Sequence, residues 1–132
     1  MSNKPARLEF HSISECFEII SGDEFEALAD DIAAHGLIDA IVLFEDKILE
    51  GRNRYRACMT RKVPIKTVDL SEIEGYEDDP IAFVLSKNVR RRHIPLDGQR
   101  ALAAAKIAIE SRTYGPYLSY AAAAKQLGTS ER

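Results

Sequence analysis

Apolar residues recur at Phe25, Leu28, Ala29 and Ile32, the i, i+3, i+4, i+7 spacing of a helix with one buried face. The stretch "SGDEFEALADDIAAHG" also carries boundary signals. Ser21 or Asp23 suits a cap, acids fill the first turn, and Gly36 marks the end. Asp23, Glu26, Asp30 and Asp31 read as its solvated face. The pattern then changes. "AIVLF" (Ala40–Phe44) is a short continuous apolar run, "EDK" a turn and "ILE" a returning strand, which predicts a hairpin. Gly51 stops that pattern, and "RNRYRACMTRK" reads as a helix. "PIKTVDL" (Pro64–Leu70) reads as a third strand, and "LEFHSIS" (Leu8–Ser14) alternates imperfectly, an incomplete strand signal.

The C-terminal part reads as helix throughout. Asp79 as cap and Pro80 at the first helical position open "IAFVLSKN". Asp97 caps a long helix, "GQRALAAAKIAIESR", which Gly115-Pro116 breaks. Ser119 or Tyr120 starts a last helix that ends at Leu127-Gly128. The spacing A-x-x-L-G-x-S fits the first helix and turn of a helix-turn-helix, with Thr129-Ser130 capping a recognition helix that would lie past Arg132. A plain C-terminal helix with a glycine stop is the other reading. The expected fold class is α/β (α+β). A small mixed sheet with packed helices occupies residues 1–79, and an all-helical segment leading into a helix-turn-helix occupies residues 80–132.

Composition narrows the picture. A chain of 132 residues with 45% hydrophobic and 30% charged residues suits a soluble domain with a real core. Its two cysteines, Cys16 and Cys58, form no C-x-x-C pattern, and His11, His35 and His93 show no ligand spacing. A disulfide framework and a zinc site are therefore not expected, and a reducing cytoplasm is. The longest apolar runs are too short to span a bilayer. The net charge of -3 conceals an asymmetry. Residues 1–80 hold 9 Lys+Arg against 18 Asp+Glu, a balance of -9, and residues 81–132 hold 9 against 3, a balance of +6. A basic C-terminal part points to a polyanion partner there.

The chemistry concentrates at two basic knots. In "EGRNR" a glycine precedes a helix start, and two arginines and an asparagine follow. A helix start offers unpaired N–H groups, glycine permits close approach, and arginine adds forked donors suited to phosphate oxygens. Arg52 opposes the helix dipole unless an anion is bound there. Arg52 and Arg56 share a helix face and Arg54 points elsewhere, so the three cannot all serve one pocket. The second knot is "SKNVRRRHIPLDGQR", where Arg90, Arg91, Arg92, His93 and Arg100 exceed what capping a helix C-terminus needs.

Taken in order, these stretches resemble the N-terminal domain of the ParB family, within the ParB/sulfiredoxin superfamily. "HGLIDAIVL" is similar to the family's Gly and "QPI-V" strand segment, "ILEGRNRYRAC" to the ParB box, and "KNVRRRHIPLDGQRA" to the Glu-Asn-x-x-Arg motif. The likeness runs from about Leu8 to Arg132. It implies a domain that binds a nucleotide (CTP or ATP) with magnesium, a DNA partner, and a homodimer in the full-length protein. By matching position, Gly51, Arg52, Asn53 and Arg54 would line the phosphate loop. Asn88 and Arg91 would reach phosphate or metal, with Asn88 nearest the magnesium. Gly36 and the segment 38–41 would border the base or ribose. Arg90, Arg92, Arg100, Lys125, Thr129 and Ser130 would face DNA. Arg52 stands where the partition proteins carry the glutamate tied to nucleotide hydrolysis, and Lys87 replaces the glutamate of the second motif. The likeness is therefore nearer to divergent ParB-like proteins of phages and plasmids. The position of the sulfiredoxin cysteine is also Arg52, so sulfiredoxin chemistry is not expected.

Three functions follow as expectations. The first is a nucleotide-responsive DNA-binding protein, serving partition, plasmid or phage DNA maintenance, or transcription regulation. The second is a phosphotransfer or nuclease-like enzyme, with Glu50 or Glu24 as the positioning carboxylate. The third is a nucleotide-free scaffold of the same fold.

Overall fold

The computed structural model describes residues 7–89 and 97–128. These residues form five α-helices and a three-stranded mixed sheet. The strands are β1 (Ile41–Phe44), β2 (Lys47–Glu50) and β3 (Thr67–Asp69), in the order β2-β1-β3. β1 pairs antiparallel with β2 and parallel with β3. The hairpin turn is Glu45-Asp46, with φ of 55° and 64°. Two such residues match the right-handed twist of the flanking strands. The helices are α1 (Gly22–His35), α2 (Arg52–Arg61), α3 (Pro80–Val89), α4 (Asp97–Glu110) and α5 (Tyr120–Leu127).

The continuous apolar run in β1 has a direct cause: both faces of the strand are covered. Ile41, Leu43 and Ile48 pack with Ala29 and Ile32 of α1 and Tyr55 and Cys58 of α2. Val42, Phe44 and Leu49 turn the other way, onto Val84 of α3, Ile107 of α4 and Ala124 of α5. Alternation along the strand thus distributes side chains between two helical layers. Ile48 and Leu49 are both fully buried, and burying each such side chain contributes about 1.5–3 kcal/mol. The second cluster joins residues from both sides of position 80.

Most expected elements form, with shifted boundaries. The third strand is shorter than Pro64–Leu70, because only residues 67–69 find β1. The Leu8–Ser14 stretch makes a single parallel bridge from Phe10 to Ile48, then turns into a 3-10 turn at Ser14–Cys16. His11 N–H donates to Ile48 O and Ile48 N–H to Glu9 O, both at 2.8 Å, so these residues cover the outer edge of β2. Ser21 occupies the cap position of α1 but makes no side-chain cap bond. Asp79 Oδ1 accepts from Ala82 N at 3.2 Å, and Ser119 Oγ accepts from Ala122 N at 3.1 Å. Asp79 is the cap that its position predicted, and Ser119, one of the two expected starts of the last helix, caps α5. On the solvated face of α1, Glu26 and Asp30 both pair with Arg61.

Candidate functional site

The site begins with Gly51, which joins β2 to α2. Its φ is +111°, a left-handed conformation that side chains rarely adopt. An added Cβ would sit 3.0 Å from Arg54 Nη2 and 3.2 Å from Ile41 Cγ1. The missing side chain therefore leaves room for Arg54 to fold back across the corner.

The three arginines are spent differently. Arg52 donates to Phe17 O and lies near the Phe10 ring, 5.7 Å from its centroid. Arg56 Nη1 donates to Ile20 O at 3.0 Å, and its guanidinium stacks over Phe25 at 4.3 Å. Asn53 Oδ1 accepts from Ile20 N at 3.1 Å and from Arg56 Nη1 at 3.3 Å. Three side chains in the first turns of α2 thus hold the segment 17–20 as a strap. Arg54 turns the opposite way and donates to Ala40 O at 3.1 Å. The expected split between Arg52/Arg56 and Arg54 appears here as a choice of backbone acceptor. Burial pushes the Arg52 pKa below its ordinary value, with the Glu15 and Glu50 carboxylates opposing that shift.

Between the strap and the sheet lies a pocket of about 400 Å³. Gly51, Arg52, Asn53 and Arg54 line it from the corner, and Asn88 and Val84 from α3. Glu24 and Leu28 of α1 close another side. Five residues singled out from two separate motifs therefore share one cavity. Asn88 is buried, and its amide donates to Val84 O at 2.8 Å, which fixes the side chain along its own helix. Gly36 does not line this pocket; it ends α1 with φ of 80°. Arg90, Arg91, Arg92, Thr129 and Ser130 lie outside the described residues. Arg100 reaches Gly128 O at 3.4 Å, between α4 and the end of α5, and Lys125 is exposed on α5.

The electrostatics of the pocket are mixed. Glu18, Glu24 and Glu50 line it against Arg52 and Arg54, a formal balance of -1. Such a cavity disfavours a bare polyphosphate and tolerates one whose charge a divalent cation has reduced. Among the described residues no cluster of His, Cys, Asp and Glu is arranged to hold a metal ion by itself.

Sequence reasoning missed the strap and a second constellation. His11 is buried, and Ile13 N–H donates to its Nδ1 at 3.1 Å. The ring proton therefore sits on Nε2, which donates to Glu45 Oε1 at 2.9 Å. Tyr114 donates its hydroxyl to the same oxygen at 3.0 Å. The His11 and Tyr114 ring centroids lie 5.1 Å apart, and Phe44 packs against both. The group ties the hairpin turn to the loop after α4.

No helix among the described residues is long and apolar enough to cross a membrane. No family model, curated protein or solved structure matches this chain.

Proposed function

We propose that this chain is a ParB-like DNA-binding protein whose arginine pocket takes the phosphates of a nucleotide. The helix-turn-helix that α5 would open, and a DNA surface including Arg100 and Lys125, belong to the same reading. One observation carries it. The Gly51–Arg54 corner and Asn88, far apart in sequence, line a single cavity of about 400 Å³. That volume suits a small organic ligand. Gly51 lets Arg54 reach across the corner, and the start of α2 supplies backbone N–H donors beside it. The test is calorimetry with CTP, ATP, GTP and ADP, with and without magnesium, beside an Arg54→Ala variant. Saturable binding of one nucleotide that the variant loses supports the reading. Failure to bind at millimolar nucleotide refutes the nucleotide part. Failure of the protein to bind DNA in a salt-dependent way refutes the rest.

A second reading has its own support. Glu24 and Glu50 both line the arginine pocket, as a phosphotransfer enzyme would need of a positioning carboxylate. Phosphoryl transfer from a magnesium nucleotide to small hydroxyl acceptors, measured with Glu50→Gln and Glu24→Gln, tests it. Equal rates in the wild type and both variants exclude those two residues.

A further inference from the structure

One buried ring joins two parts of the molecule. His11 Nδ1 accepts from Ile13 N at 3.1 Å, and Nε2 donates to Glu45 Oε1 at 2.9 Å. The His11 carbonyl accepts from Ser14 N at 2.9 Å, Glu15 N at 3.3 Å and Ser14 Oγ at 2.6 Å. The residue thus caps the turn at Ser14–Cys16 with its side chain and with its backbone. That turn runs straight into the strap, and Ser14 and Phe17 both line the arginine pocket. The ring also packs against Phe44 and Tyr114, so turning it away from Ile13 would disturb both contacts.

The two nitrogens answer a proton in opposite ways. A neutral imidazole carries one donor and one acceptor, and the cation carries two donors. With Nε2 already protonated, a second proton goes onto Nδ1. There it faces Ile13 N–H, donor against donor, and the turn loses its side-chain cap. At Nε2 the same event strengthens the bond, because Glu45 then accepts from a cation. The charged surroundings are mixed. Among the described residues, Glu45 in the hairpin turn and Glu110 of α4, which accepts from Ser12 Oγ at 2.9 Å, favour the cation. Lys47 of β2, close enough to act on Glu45, opposes it. Tyr114 donates to the same Glu45 oxygen as His11. Histidine is the side chain whose charge ordinarily changes between pH 5 and 8.

We infer that His11 is a proton-operated latch. Neutral, it locks the turn at Ser14–Cys16; protonated, it releases the turn and keeps the hairpin. Release loosens the chain that leads into the strap. Nothing in this latch depends on what the arginine pocket binds.

Nuclear magnetic resonance follows both halves of the latch in the wild type between pH 5 and 8. The carbon-bound ring protons of His11 report its protonation. Protection factors of the Ile13, Ser14 and Cys16 amides, corrected for the pH dependence of intrinsic exchange, report the turn. Ile13 protection should fall roughly two- to ten-fold at the midpoint where the ring takes its proton, while the amides of α2 hold. In His11→Asn the side-chain oxygen can accept from the amide two residues on, as in an Asx turn, and cannot titrate. Its Ile13 protection should be flat across the range. Glu45→Gln keeps an acceptor for Nε2 and loses the charge, so the midpoint should move to lower pH. A ring that takes its proton while Ile13 protection holds overturns the inference. So does a ring that stays neutral down to pH 5 in the folded protein. A fall in protection that survives in His11→Asn places the sensor elsewhere and overturns it too. An unmoved midpoint in Glu45→Gln does the same, since the titrating group is then not the one facing Glu45. Where His11→Asn does not fold, the wild type and Glu45→Gln decide the matter on their own.

Discussion

Asn53 Oδ1 accepts the backbone N–H of Ile20 at 3.1 Å, so the second residue of α2 holds main chain that lies 33 positions earlier. The contact holds the strap where Phe17 and Ile20 line the pocket. It also means that the residues expected to meet a ligand already have partners in the protein.

Asn53→Ala removes the acceptor for Ile20 and for Arg56 together. Loss of ordinary hydrogen bonds of this kind costs about 0.5–1.5 kcal/mol each. The variant should fold, with a urea midpoint lowered by that order. The strap amides of residues 18–20 should exchange faster with solvent than those of α2. Unchanged exchange at Ile20 would show that Asn53 does not hold the strap.

Gly51→Ala should be more damaging. The new Cβ meets Arg54 and Ile41, and the backbone stays in a conformation that costs a side chain about 1–3 kcal/mol. A urea titration reads this directly. A loss below half a kcal/mol would mean that the corner relaxes freely and that Arg54 is not confined by it.

Magnesium should be required for nucleotide binding, because three carboxylates and two arginines line the pocket. Titrations with the metal chelated should show little or no heat. Equal affinity without the metal would contradict the mixed electrostatics of the site.

Both cysteines should resist alkylation in the folded protein. Each is buried, and burial pushes the Cys16 thiol up to about 12 and the Cys58 thiol above its ordinary range. Iodoacetamide at mildly alkaline pH should modify neither until denaturant unfolds the chain. Rapid modification of one cysteine in the native protein would show an opening of that layer.

Glu45 is held below the usual carboxylate range, first by the His11 hydrogen bond and then by that of Tyr114. A carboxyl whose folded pKa is depressed contributes stability above its unfolded pKa. That contribution fades as the pH falls through the folded value. The Tyr114→Phe variant removes one donor, so the Glu45 pKa should move up toward the ordinary range. A carbon-detected NMR titration follows it. An unmoved value would mean that the tyrosine bond is absent in solution.

Much of this was legible from the chain. The 3.6-residue spacing of Phe25, Leu28, Ala29 and Ile32, the Asp79-Pro80 start and the start at Ser119 or Tyr120 all reported local physics, and local physics decided those elements. The shared pocket of Arg52, Arg54 and Asn88 was only partly readable, since motif order suggested it and spacing alone did not. The strap was invisible because Arg52, Asn53 and Arg56 hold it through backbone atoms of Phe17 and Ile20, which carry no side-chain signature. His11 was passed over for a related reason. Its partners Glu45 and Tyr114 lie 34 and 103 positions away, and neither the hairpin turn nor the loop after α4 announces the other. Strand 67–69 came out shorter than its apolar pattern because pairing with β1, not propensity, sets its length.

The outer edge of β2 has one practical consequence. Among the described residues, the backbone of Glu9 and His11 occupies the polar groups of Ile48 on that side. A variant trimmed through His11 would leave those groups unpaired beside a hydrophobic strand, an open template for another chain. Its first visible defect would be self-association on concentration.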